Sequence, residues 1–145
     1  MPETIKLDAT QTTDIEKAAS LLLAGHLVAM PTETVYGLAA DASNEQAVRK
    51  VFEAKQRPVG HPLIVHVASP ERIRYWVDRV PEAAEKLINT FWPGPLTLLL
   101  PKKSDVSDFI TGGNPGVAVR MPAHPATVAT MEKLGRELVA PSANP

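Results

Sequence analysis

The sequence predicts an α/β protein with a twisted, open, mixed sheet and flanking helices. Three observations carry that expectation. Short apolar runs of strand length recur at 27–30, 63–67, 96–100 and 117–121, and segments with helix-start chemistry alternate with most of them. The runs at 96–100 and 117–121 are joined through a polar, glycine-rich stretch without a helix, so the sheet is expected to be mixed rather than purely parallel. No internal repeat, low-complexity tract or interdomain linker interrupts the 145 residues, and one domain of that length buries a sizeable core.

In chain order, Thr13-Asp-Ile-Glu16 has the spacing of a capping box and Gly25 is a natural stop, which predicts a helix over 14–24. Leu27-Val-Ala-Met30 reads as a short buried strand, ended by Pro31 because proline has no backbone donor. Leu38-Ala-Ala40 continues as a second short strand. Ser43-Asn-Glu-Gln46 is another capping box, opening a helix that runs toward Lys55 and must end before Pro58. Leu63-Ile-Val-His-Val67 is β-branched and bounded by Pro62 and Ser69, hence a strand. Pro70 and Pro81 suit first-turn positions of a short helix and of one of about ten residues ending near Phe91. Trp92-Pro-Gly-Pro95 is a turn, 96–100 a strand, and 102–116 a surface loop with one turn of structure. A strand over 117–121 precedes a helix opened by His124-Pro125 and ended by Gly135. Glu137-Leu-Val-Ala140 then feeds Pro141-Ser-Ala-Asn-Pro145.

Composition excludes several function classes. The absence of cysteine removes disulfides, thiolate nucleophiles and zinc–sulfur sites. A formal charge of −1 argues against a generally basic nucleic-acid surface, so any bound anion must be held by local cations. No apolar run approaches the roughly 18 residues of a membrane span, and the N-terminus lacks a basic-then-apolar leader, which makes a cytoplasmic, membrane-free setting the expectation.

The chemistry concentrates in a few places. In Pro31-Thr-Glu-Thr-Val-Tyr-Gly-Leu38, two hydroxyls and a carboxylate sit between a buried strand and a conformationally free glycine, the pattern of a ligand loop at a strand's carboxyl end. Lys55 and Arg57 stand where a helix gives way to extended chain, suited to a triphosphate as point charge and bidentate fork, or else to a solvated helix end. His66 interrupts an apolar strand, sharing a face with Ile64, and reads either as a satisfied core histidine or as a ligand group. Arg120 ends another apolar strand and demands an anion, either substrate carboxylate or a structural one such as Glu33 or Asp41. Ser142 and Asn144 share one side of an extended segment, weak evidence by themselves for ribose or phosphate bonding. Phosphate-loop, dinucleotide and HExxH motifs are absent, and no side chain is an obvious nucleophile. The pattern favours positioning and charge neutralisation, as in transfer at phosphorus.

PTETVYGLAAD at 31–41, KQRP at 55–58, HPLIVHV at 61–67, FWPGPLTLLL at 91–100, VAVRMP at 117–122 and APSANP at 140–145 together resemble the YrdC-type threonylcarbamoyl-AMP synthases. The resemblance implies a YrdC-like twisted sheet with a concave, positively lined cavity. It implies that L-threonine, bicarbonate and ATP give threonylcarbamoyl-AMP and pyrophosphate, toward threonylcarbamoyladenosine in tRNA. The family's KxR and SxN elements fall on Lys55 and Arg57, expected to be catalytic, and on Ser142 and Asn144. By resemblance, Lys55, Arg57, His61, Gly116, Ser142 and Asn144 bind ATP, while Thr34, His66, Arg120 and Ala140 hold threonine. Magnesium is expected with the triphosphate, with no protein ligand legible.

The wording of the first motifs is similar to the longer, two-domain form, and the family's motif after SxN continues into further strand and helix. Residues 1–145 are therefore expected to be one YrdC-like catalytic domain, incomplete at its C-terminal end. Expected partners are the small substrates and a tRNA or tRNA-modifying transferase complex. Two alternatives share the cavity: a module binding tRNA or double-stranded RNA, and a carbamoyl-transfer module of the hydrogenase-maturation type.

Overall fold

The computed structural model describes residues 4–32, 35–56, 58 and 60–143. Helix α1 (Thr12–Leu23) begins before the predicted start. Thr13 is inside it and caps nothing: Gln11 is the N-cap, and the Asp14 carboxylate instead reaches back to the Asp8 amide at 2.7 Å. A turn in which Asp8 accepts from Thr10 has displaced the cap N-terminally. Strand β1 (Val28–Met30) and strand β2 (Gly37–Asp41) form an antiparallel pair across the 31–36 loop.

Helix α2 (Glu45–Lys55) is capped one residue later than predicted, because Asn44 accepts from the Ala47 amide while the Ser43 amide is taken by Asp41. It stops at Gln56, which adopts the left-handed conformation two residues ahead of Pro58. Strand β3 (Ile64–His66) leads to a 3-10 turn at Pro70–Tyr75 and helix α3 (Glu82–Phe91). Strand β4 (Thr97–Pro101), one helical turn α4 (Asp108–Thr111), strand β5 (Gly116–Arg120) and helix α5 (Pro125–Leu134) follow. His124 caps α5 through its ring nitrogen, which accepts from the Ala126 amide at 3.2 Å.

Leu138–Val139, read from sequence only as a connection, is strand β6. It is central. The sheet order is β1-β2-β6-β3-β5-β4, with β3 and β5 parallel and every other neighbouring pair antiparallel. This is the mixed sheet expected from the helix-free connection between 96–100 and 117–121.

Strand alternation divides the core in two. One face turns Val65, Val67, Val117, Val119, Leu98, Leu100 and Val139 toward Val48, Val51 and Phe52 of α2 and Ile88 of α3. On the other, Leu22 of α1 and Met131 and Leu134 of α5 pack over Met30, Ala39 and Leu138. Those two helices cover the β1-β2-β6 half. On the β3-β5-β4 half of the same face, Leu99 is 72% exposed and Ile64 is also exposed. Among the described residues, no helix is long and apolar enough to cross a membrane.

Candidate functional site

The exposed half-face is a grid set by register. His66 of β3 is the Cα partner of Arg120 in β5, and Thr97 of β4 is Arg120's partner on the other side. Cross-strand partners project from the same face, so the imidazole and guanidinium stand side by side, although 54 positions separate them in sequence. In the next row Ile64, Ala118 and Leu99 are partners, and Gly116 follows opposite Pro101. Four residue steps at about 3.3 Å each put about 13 Å between Gly116 and Arg120.

At the Arg120 end, the guanidinium Nε donates to the Gly94 carbonyl at 3.2 Å and the Gly94 amide donates to Met121. The Trp92–Pro95 turn, closed by the Trp92 indole donating to Leu96, thereby orients the arginine. The carboxylate suggested for Arg120 lies elsewhere: Asp41 is fully buried and accepts from Arg136 at 3.0 Å. His66 is 4% exposed, with Nδ1 3.1 Å from the Ile64 carbonyl. A carbonyl only accepts, so Nδ1 carries the proton.

At the other end, Lys55, the last residue of α2, donates through Nζ to the Ser142 carbonyl at 2.5 Å. This bond joins the helix end to the SxN segment across 87 positions. Ser142 also bridges antiparallel to Gly37, flanked by bonds from Leu38 N to Pro141 O and from Ala143 N to Tyr36 O. The close approach explains Gly37: a Cβ there would lie 3.1 Å from that of Ala140. It was read from sequence as a conformationally free residue; what the structure asks of it is the missing side chain. Thr32 closes the loop before it, its hydroxyl donating to the Val35 carbonyl and accepting from the Val35 amide.

The structure thus brings Lys55 and Ser142 together, with Ala140, two residues before Ser142, against Gly37, and separately His66 and Arg120, with Gly116 at the far end of β5 from Arg120. His61 is exposed in the loop entering β3. Thr34, Arg57 and Asn144, and Glu33 of the loop, lie outside the described residues. Leu99, to which the sequence reading of 96–100 as a strand gave no separate place, stands over Gly116, whose Cβ would meet its side chain at 3.1 Å. Its signal was positional: Leu98 and Leu100 take the buried face, which leaves Leu99 to the other. Among the described residues no cluster of His, Asp or Glu could hold a metal ion.

A family profile covering Sua5, YciO and YrdC, described as "Telomere recombination", matches residues 20–145. The threonylcarbamoyl-AMP synthase of Pyrococcus abyssi is 53% identical over 130 residues, covering 90% of this chain and 38% of the relative. That of Bacillus subtilis is 47% identical over 137 residues, covering 94% and 40%. That of Marinobacter nauticus is 40% identical over 129 residues, covering 88% and 68%. The chain thus spans about two fifths of the first two relatives. The crystal structure of P. abyssi Sua5 complexed with L-threonine superposes with a TM-score of 0.89 at 49% identity, covering 97% of this chain and 40% of that one.

Proposed function

Because the chain belongs to the Sua5–YciO–YrdC family, we propose that it carries the threonylcarbamoyl-AMP synthase site, forming threonylcarbamoyl-AMP and pyrophosphate from L-threonine, bicarbonate and ATP. The product's connectivity dictates the chemistry. The threonine amine and bicarbonate first give a carbamate and water. A carbamate oxygen then bonds to the α-phosphorus as the bond to pyrophosphate breaks. Neither step needs a protein nucleophile, which suits a site of cations, an imidazole and hydroxyls.

The observation that carries this reading is the Lys55–Ser142 bond, which unites the KxR helix end with the SxN segment at one end of the open face. Lys55, Arg57, His61, Gly116, Ser142 and Asn144 would take the nucleotide at that end. Lys55 and Arg57 neutralise charge as pyrophosphate departs. Thr34, His66, Arg120 and Ala140 would hold threonine, with Arg120 forking onto its carboxylate and His66 orienting it. Magnesium supplies charge neutralisation on the phosphates when it is bound. The tRNA that ultimately receives the group and its transferase are partners of the longer pathway, reached through the product.

Calorimetric titration with ATP and with threonine, beside a titration with tRNA, tests the assignment. Both small molecules should bind, and Arg57→Ala should weaken ATP about ten- to hundredfold, the cost of a charged hydrogen bond, while leaving threonine unaffected. Binding of tRNA with neither small molecule would overturn the reading in favour of an RNA module.

A further inference from the structure

Gly112, the residue that ends α4, has a φ of +67°, and an ideal Cβ on it would lie 2.4 Å from the Gly60 carbonyl oxygen and 3.0 Å from its carbon. Both atoms are backbone and cannot swing aside. The α4 turn and the loop entering β3 therefore meet main chain to main chain. Around this contact the Leu63 amide donates to the Ile110 carbonyl at 2.8 Å, and the Asn114 side chain donates to the Thr111 carbonyl at 2.9 Å. His61 follows Gly60 directly, and no part of the nucleotide expectation involved α4.

We propose that Gly112 is a positioning residue for the nucleotide: its missing side chain seats Gly60 and so sets the adjoining His61 at the phosphate end of the open face. The proposal rests on the ATP site proposed above. The neighbouring glycine is a built-in control, because Gly113 has a φ of +82° and nothing within 4 Å of an added Cβ. Alanine at 113 thus adds backbone strain alone, and alanine at 112 adds strain and a clash. Asparagine at 112 separates these further, since it tolerates the left-handed conformation but still carries a Cβ.

ATP and threonine titrations, with amide exchange at Leu63 in the ligand-free protein, would be measured for Gly112→Ala, Gly112→Asn and Gly113→Ala. Both variants at 112 should lose ATP affinity by about tenfold or more, keep threonine affinity, and exchange the Leu63 amide faster. Gly113→Ala should keep the parent's ATP affinity despite its strain. Parent-like ATP binding and Leu63 exchange in Gly112→Asn, or an equal ATP loss in Gly113→Ala, would overturn the positioning role. A parent that binds threonine but no ATP would overturn the nucleotide site itself, a result separable from the first because the exchange measurement needs no ligand.

Discussion

Glu137 is 2% exposed and surrounded by donors: Arg72 Nε at 2.6 Å, the Trp76 indole at 2.7 Å and, on its backbone carbonyl, the Ala42 amide. Its hydrogen bond holds the Arg72 guanidinium above the ordinary arginine range. A raised pKa gives stabilisation that is complete below the unfolded value and lost only as pH climbs through the folded one, so at neutral pH, with the carboxylate partner ionised, this arginine's contribution is fully present. Glu137→Ala should lower stability by about 2–3 kcal/mol in urea unfolding, less than a fully enclosed pair would lose because Arg72 is partly solvated. Glu137→Gln, which keeps an acceptor for Trp76, should lose less. The opposite case is Thr111, whose hydroxyl is buried without a hydrogen-bond partner among the described residues. Thr111→Val removes that unmet group at nearly constant shape and should raise stability by about 1 kcal/mol. At Arg120, lysine keeps the charge but not the planar fork that both donates to Gly94 and would engage a carboxylate. Arg120→Lys should therefore weaken threonine binding about tenfold while ATP affinity holds, as read by paired titrations.

At the scale of elements, α2 links local sequence to the site. Its cap Asn44 fixes where the helix starts, and eleven residues later its last side chain, Lys55, reaches Ser142. Asn44→Ala should cost about 1 kcal/mol of stability, measurable as a lowered urea midpoint with unchanged slope. Strand β6 has the reverse character. Two residues are too few to show a period, and its strand identity comes from partners on both sides, β2 and β3. It nonetheless connects the helix-covered half of the sheet to the open half, and the chain beyond it carries Ser142 to Lys55.

Across the whole molecule, a net charge of −1 means that ATP, at the site proposed, would be held by a local cluster rather than by a general field. Raising ionic strength from about 0.1 M, where the Debye length is about 10 Å, to about 1 M, where it is about 3 Å, should weaken ATP binding and leave zwitterionic threonine less affected. Salt-independent ATP titrations would remove the cation assignment. With the exposed apolar row through Leu99 as part of the proposed site, a bound nucleotide would rest partly on a hydrocarbon floor, so some ATP affinity should persist at high salt.

What the sequence determined by itself was local. Capping residues and prolines gave the order of helices and strands within a few positions, although Asp8 and Asn44 displaced two caps. Alternation in 63–67 and 117–121 put His66 opposite Val65 and Val67, and Arg120 opposite Val119. Family motifs nominated the site side chains, of which Lys55 and Ser142 meet at one end and His66 and Arg120 at the other. Tertiary structure decided which strands are neighbours, and hence that His66 pairs with Arg120, that Gly37 lies tight against Ala140, and that Asp41 answers Arg136 rather than Arg120. The reason is that strand register is a long-range property: a one-residue slip of β5 against β3 would send Arg120 to the opposite face without altering any local propensity.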